Sequence, residues 1–270
     1  MWKTKDVYYI SDSTALLVED LGRSLLCQFP EIGFHEEKIP FVRDKSTAEQ
    51  AIAHILEQSG GLRPLLFCTI MDEDVRSVFD RAEVEMFDLY GGFLDRLERK
   101  LEARALHQPG FFRTREAKTD KRVAAIHYTL DHHDGQRIDD YNEADIILIG
   151  VSRTGKTPVS VYLATHMGLK AANFPMTSDH LKKYELPQEI VRNKERAVGL
   201  TVSPQYLHNI REKRYKGSRY AQLNTCRDEL TQAEQLYMQH GIMLLHTENK
   251  SIEELSVEAT RGIVRKKKRR

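Results

Sequence analysis

The sequence predicts an α/β protein in two parts, an N-terminal α/β domain over residues 1–140 and a phosphate-loop domain with a mainly parallel sheet over 141–262, followed by a basic tail at 263–270. Three observations predict it. Short apolar runs that read as buried strands alternate with longer segments of helical period, the pattern of a parallel sheet with crossover helices. Turn formers such as Gly60-Gly61, Pro109-Gly110 and Lys216-Gly217 punctuate that alternation. The run Ala144–Ile149 also meets a glycine-bounded loop that opens a helix.

Along the first half, Val7–Ile10 is a strand that stops at Ser11-Asp12-Ser13-Thr14, any of which can cap the helical pattern carried by Leu16, Leu17, Leu21, Leu25 and Leu26. A short strand is expected at Ile39–Val42, a helix at Ser46–Gln58 and a buried strand at Leu65–Ile70. Residues 72–106 carry Val75, Val78, Phe79, Phe87, Leu94, Leu97 and Leu101 at helical spacing. Residues 107–122 are polar and broken by Pro109-Gly110, a linker, and Val123–Leu130 is helical before DHHDGQ at 131–136.

In the second half, strand Ala144–Ile149 is followed by a helix from Lys156 to Met167, stopped by Gly168. Strands at Lys170–Asn173, Ala197–Val202 and Ile242–His246 alternate with a helix capped by Ser203 with Pro204 at its first position, and with a long helix over Arg219–Gln239. Ser251 with Glu254 three residues on is a capping box for a last helix.

The 270 residues are 40% apolar and 30% charged, the balance of a soluble globular chain, with no apolar run long enough to cross a bilayer. The opening MWKTKDVYYISD has too short an apolar stretch for a secretory signal, and Cys27, Cys68 and Cys226 form no CxxC pair. A reduced, cytoplasmic protein without zinc is expected. The net charge of +1 hides an asymmetry: without the six basic residues at 265–270, 35 of the 41 basic residues remain against 40 acidic ones, a balance of −5. No aromatic residue interleaves with RKKKRR, so a solvated terminal tail is favoured over a nucleic-acid site.

The chemistry is concentrated in Gly150-Val151-Ser152-Arg153-Thr154-Gly155-Lys156-Thr157, which satisfies G-x-x-x-x-G-K-[ST] with a strand before it and a helix after it. The glycines let successive amides converge on phosphate oxygens at a helix N-terminus, Lys156 supplies a cation, and the Thr157 hydroxyl can ligate magnesium. Pro158 is tolerated in the first turn, where its missing N–H has no intrahelical use. Arg211, Arg214 and Arg219 are candidate phosphate clamps, with a solvated basic face as the equal alternative. His132, His133 and Asp134 offer a base or a metal ligand, although neighbours on a loop rarely point the same way and a turn is the simpler account. Ser11, Asp12 and Thr14 stand at the carboxyl end of a strand, where ligands bind in α/β sheets and where a helix cap fits as well.

The segments VYYISDSTALLVEDLGRSLLCQFP (7–30), RPLLFCTI (63–70), YTLDHHDGQ (128–136), ADIILIGVSRTGKTPVSVYLA (144–164), GLKAANFP (168–175), VGLTVSPQYLHNIREKR (198–214) and SRYAQLNTCRDE (218–229) resemble the phosphoenolpyruvate synthase regulatory protein family, over about residues 7–262. That family is related to the regulators of pyruvate, phosphate dikinase. The resemblance implies a P-loop kinase-like domain and a bifunctional enzyme. Such an enzyme uses ADP to phosphorylate a threonine of phosphoenolpyruvate synthase. It removes that group again with inorganic phosphate, releasing pyrophosphate.

By the same resemblance Gly150–Thr157 binds the nucleotide, with a divalent cation, expected to be magnesium, at Thr157. Lys156, Asp134 and His132 become the catalytic candidates. The family's S-D-[GS]-T pattern falls on Ser11, Asp12, Ser13 and Thr14, and its H-D-D-G pattern on 132–135, with His133 in place of the middle acid. The implied partner is the synthase itself, with no membrane, no nucleic acid, and self-association left open. The alternatives are a small-metabolite kinase or nucleotide hydrolase on the same loop, and a non-catalytic ADP-sensing or nucleic-acid-binding module.

Overall fold

The computed structural model describes residues 3–60, 62–81, 83–108 and 118–268. The chain divides into two compact units, 1–116 and 117–270. Each is built on its own four-stranded, all-parallel sheet.

In the first unit β1 (Lys3–Ser11), β2 (Ile32–Ile39), β3 (Leu65–Thr69) and β4 (Glu85–Asp88) are ordered β2-β1-β3-β4. Helix α1 (Leu16–Leu26) connects β1 to β2, and α2 (Lys45–Gln58) crosses back from β2 to β3. A short α3 (Glu73–Arg76) precedes β4, and α4 (Gly91–Leu101) follows it. The two faces of the sheet are covered separately. Val7, Tyr9 and Phe67 pack under α1 with Ala15, Val18 and Leu26, while Tyr8, Ile10, Leu66 and Cys68 pack on the other side with Ala48, Ile52, Ile55 and Phe79. Alternation along β1 therefore feeds two cores, the expected arrangement where helices lie on both faces.

In the second unit α5 (Lys118–Asp131) leads through short 3-10 turns to β5 (Ile146–Gly150). Then come α6 (Lys156–Met167), β6 (Ala171–Pro175), α7 (Ser178–Lys183), α8 (Gln188–Arg192) and β7 (Ala197–Thr201). They are followed by α9 (Pro204–Arg214), α10 (Leu223–His240), β8 (Met243–His246) and α11 (Ile252–Lys268). The order β6-β5-β7-β8 repeats that of the first unit. Leu148 and Ile146 face Val159 and Leu163 of α6 and Leu255 and Ala259 of α11, whereas Ile147 and Ile149 face the core that holds Tyr141, Phe174, Leu230 and Tyr237. The strand order reverses between β5 and β7, so the loop leaving β5 opens at a topological switch point.

Several expectations are corrected. The second unit begins at 117, because α5 packs beside α6 and β6, so residues 117–140 belong with the phosphate-loop unit and not with the first domain. Residues 72–106 are not one helical stretch: Glu85–Asp88 pairs with Leu65–Cys68 as an edge strand. The strand expected at Ile39–Val42 instead ends at Ile39 and starts at Ile32. Within the segment read as a linker, Lys118 already begins α5, and Pro109-Gly110 lie outside the described residues. Helix α11 runs on to Lys268 through much of the segment read as a frayed tail, with 269–270 outside the described residues. The leucine stripe of α1 is also not its buried face. Leu16, Leu17, Leu21 and Leu25 are exposed, while Val18, Gly22 and Leu26 are buried. Among the described residues no helix is long and apolar enough to cross a membrane.

The geometry of α1 predicts opposite outcomes for two conservative truncations. Val18→Ala, at a position with no exposure, is expected to cost about 1–3 kcal/mol in urea denaturation. Leu17→Ala, 60% exposed, is expected to stay within about 0.5 kcal/mol, and the reverse ranking would mean that the leucines form the packed face.

Candidate phosphate-binding site

The loop after β5 is shaped by two buried cations. Lys156, only 6% exposed, turns back so that Nζ donates to the Val151 carbonyl at 3.0 Å. The Thr154 hydroxyl donates to the same carbonyl at 2.9 Å. Arg211, on α9, has no exposure at all, and its Nη2 donates to the Ser152 carbonyl at 3.2 Å. The Thr247 hydroxyl donates to the Thr154 carbonyl at 3.1 Å, and the Met176 amide to the Gly150 carbonyl at 2.9 Å. A planar trans peptide points its N–H opposite to its C=O. With the carbonyls of Val151, Ser152 and Thr154 drawn inward, the amides of Ser152, Arg153 and Gly155 are turned the other way.

The backbone cooperates. Arg153 and Gly155 have φ of 76° and 89°, left-handed values that make a concave nest of amides. Gly155 is the N-cap of α6, whose first-turn amides have no intrahelical acceptor. Gly150 has no room for a side chain, since a Cβ there would stand 2.6 Å from Thr154 Oγ1 and 3.0 Å from the Leu200 carbonyl. The result is a cradle, a concave row of outward amides over a desolvated ammonium, an arrangement chemically suited to an anion. Burial pushes the Lys156 pKa down to about 8, and Arg211 and Arg153 push the same way, while the Asp134 carboxylate opposes them.

The turn at 132–135 flanks this cradle. The Asn173 amide donates to the His132 carbonyl at 3.1 Å, which fixes the turn to the edge strand β6. Asp134 and Gly135 both have positive φ, 51° and 80°. His133 Nε2 lies 3.1 Å from Thr157 Oγ1, and its Nδ1 lies 3.2 Å from Asp134 Oδ2. Asn173 Nδ2 donates to Thr157 Oγ1 at 3.2 Å, and its buried Oδ1 has no hydrogen-bond partner. His132 diverges from its neighbour: its ring stacks on Tyr128 at 3.7 Å, and Nδ1 lies 2.7 Å from the Tyr128 carbonyl. The structure thus brings Gly150–Thr157, His133 and Asp134 together, and turns His132 away from Thr157.

The three arginines part company. Arg214 and Arg219 are exposed, while Arg211 is enclosed by Glu229 at 2.7 Å, by the Tyr220 carbonyl at 3.2 Å and by the Tyr220 ring at 3.9 Å. Its guanidinium holds the loop from beneath, where sequence alone suggested a clamp facing the ligand.

Ser11 and Asp12, in the first unit, are also buried and internally satisfied. Asp12 Oδ2 accepts the Met71 amide at 2.9 Å and its carbonyl accepts Arg43 Nε at 3.2 Å, joining the ends of β1 and β3. Burial raises the Asp12 pKa, partly offset by those two groups. Ser11 Oγ accepts the Ser13 amide at 3.1 Å. The expected cap of α1 is not made by Ser11, Asp12, Ser13 or Thr14: the N-cap is Ala15, in a left-handed conformation and without a side-chain bond.

Sequence reasoning passed over Asn173, Glu229 and Thr247. Only Asn173 carried a local signal, as the one amide side chain in the otherwise apolar strand Ala171–Pro175.

The fold and this site define a doubly wound parallel α/β protein with an amide-lined G-x-x-x-x-G-K-T loop at a switch point of its second sheet. The chain belongs to the kinase/pyrophosphorylase family, which matches residues 7–259. A protein of Desulfotalea psychrophila is 42% identical over 264 residues, 97% of each chain. One of Laribacter hongkongensis is 39% identical over 258 residues, 93% of this chain and 94% of its own. One of Marinobacter nauticus is 37% identical over 267 residues, 97% of this chain and 98% of its own. All three are provisionally named phosphoenolpyruvate synthase regulatory proteins. Membership supports phosphotransferase chemistry for this chain.

If Arg211 shapes the loop, Arg211→Met is expected to cost about 3 kcal/mol, since the partly buried Glu229 loses its partner and the Ser152 and Tyr220 carbonyls lose their donor. Arg211→Met with Glu229→Leu is expected to recover much of that in urea denaturation. Phosphate binding is expected to stay impaired in both variants, because the Ser152 carbonyl has lost its donor. Normal phosphate affinity in the stable double variant would show that the loop needs no anchor there.

Proposed function

We propose that this protein is a bifunctional regulator of phosphoenolpyruvate synthase, an ADP-dependent protein kinase acting on a threonine and a phosphate-dependent, pyrophosphate-forming phosphorylase that reverses the modification. The observation that carries the reading is the buried Lys156 beneath an amide-lined loop, with the exposed Asp134 carboxylate beside it. The names of the relatives supply the target.

In the forward direction the cradle holds the β-phosphate of ADP. The threonine oxygen forms a bond to that phosphorus, the bond to the bridging oxygen breaks, AMP leaves, and the hydroxyl proton passes to Asp134. In reverse, inorganic phosphate occupies the cradle. One of its oxygens bonds to the phosphothreonine phosphorus, the bond to the threonine oxygen breaks, and that oxygen regains a proton as pyrophosphate leaves. Both directions ask the protein for positioning and charge neutralisation, which amides and Lys156 provide without reorganising.

A magnesium ion fits beside Thr157. Its hydroxyl oxygen is oriented by Asn173 and His133, the buried Asn173 Oδ1 is unpartnered, and Asp134 adds a hard anionic oxygen. Among the described residues no three His, Cys, Asp or Glu side chains converge on one metal position. Such an ion would take most of its shell from phosphate oxygens and water, as magnesium commonly does, and would supply neutralising charge.

Two results are expected. Purified protein incubated with the synthase and β-32P-labelled ADP should place label on a synthase threonine, and added phosphate should release it as pyrophosphate. Lys156→Ala should lose about a hundredfold or more in both directions; turnover of ATP on a small molecule with no labelled synthase would instead make the chain a metabolite kinase. The second result concerns pH. Free Lys156 loses its proton near pH 8 while an anion keeps it charged, so ADP binding should take up a proton above about pH 8 and weaken there. Calorimetry in buffers of different ionisation heat checks this, and equal heats across buffers at about pH 9 would contradict it.

A further inference from the structure

On the far side of the 132–135 turn, a cavity of about 630 Å³ opens between α5 and the turn after it. His132 forms its base and is 4% exposed. Because the Tyr128 carbonyl can only accept, His132 Nδ1 carries the proton of the neutral ring. Its Nε2 is then a bare acceptor, and it is buried with no hydrogen-bond partner. Asp140 Oδ2 lies 3.9 Å from that nitrogen, beyond hydrogen-bond reach. His132 and the exposed Asp140 carboxylate both line the cavity, and among the described residues no donor reaches the buried Nε2.

The remaining charges of the wall are matched. Arg137 pairs with Asp131 at 3.0 Å, and Lys170 with Glu143 at 2.9 Å, with Lys170 also 5.3 Å from the centre of the Tyr128 ring. His127 is the other titratable group of the lining. Among the described lining residues three carboxylates meet two permanent cations, and Asp140, with only the His132 ring at 3.9 Å, is the one left without a permanent cation.

We propose that this cavity binds a guanidinium group, specifically an arginine side chain of the protein that is phosphorylated. A guanidinium has N–H donors on adjacent nitrogens, no acceptor, and a permanent charge, so it can serve Asp140 and His132 Nε2 together. An ammonium supplies the charge but only a point donor, and an anion would meet Asp140 and a lone pair. The placement suits a protein substrate, in a step that rests on the function proposed above. His132 in the cavity and His133 on Thr157 are consecutive residues, so a chain presenting its threonine to the cradle passes this turn.

The experiment uses the full-length protein and Nα-acetylarginine amide as probe, followed by nitrogen-15 NMR of the histidine rings. Saturable perturbation of the His132 Nε2 resonance is expected, absent with Nα-acetylglutamine amide and lost in Asp140→Asn. It should persist in Lys156→Ala, so it does not depend on catalysis. No perturbation, or equal perturbation in Asp140→Asn, overturns the site. In the labelling assay Asp140→Asn should raise KM for the synthase about tenfold and leave ADP affinity unchanged. An unchanged KM alongside probe binding would overturn the protein-substrate assignment and leave a site for free guanidinium compounds. If the wild-type protein labels no synthase while the NMR result stands, the proposed function fails and the guanidinium site survives.

Discussion

A cation removed from water must be surrounded by oxygens, and the second unit satisfies that demand with the carbonyls of one loop. Val151 and Ser152 give their carbonyls to Lys156 and Arg211, and Thr154 gives its own to Thr247. Peptide planarity converts this inward preference into outward amides. The outward row of amides is thus the reverse side of an internal solvation problem. The same logic explains why Arg211 needs Glu229, and why Thr247, far along the chain, bears on the shape of a loop whose Thr154 it trails by 93 residues.

The loop was legible because its requirements are local. A strand, two glycines at fixed spacing, a lysine and a hydroxyl all fall within Ile146–Met167, and their conformations are set by residue type. Arg211 was not legible in the same way, since a basic residue on a polar helix reads as solvated until tertiary packing encloses it. The pair His132 and His133 shows a middle case. Sequence named both, but only the left-handed Asp134 and the bond from the Asn173 amide decide that one ring reaches Thr157 and the other stacks on Tyr128. Strand β4 was lost because Val75, Val78, Phe79 and Phe87 happen to keep helical spacing, while the parallel pairing of Glu85–Asp88 with β3 is non-local. On α1 the leucines drew attention to the wrong face: burial goes to Val18, Gly22 and Leu26, and a Cβ on Gly22 would collide with the Tyr9 ring.

The two units share a strand order, and each opens its switch point with a left-handed residue before the helix that follows the first strand, Ala15 in one and Gly155 in the other. The side chains then give that shared geometry two different outcomes. In the second unit the turn delivers a lysine and free amides. In the first it delivers Asp12, whose carboxylate already takes the Met71 amide and whose charge opposes an anion. One topology therefore carries an amide-lined loop over a buried lysine in one unit and a structural junction in the other, so fold alone could not have assigned either.

Burying Lys156 disfavours its own charge and so lowers its pKa. Under the proposed function an arriving phosphate would restore the partner that desolvation removed, concentrating the binding free energy on the phosphoryl group. Under that function this would suit a site for either the terminal phosphate of a nucleotide or inorganic phosphate alone, because such contacts require nothing of the nucleoside. On the proposed reading, selection of the protein substrate falls elsewhere on the unit, and Asp140, across the turn from the Lys156 loop, is the charge proposed to provide it.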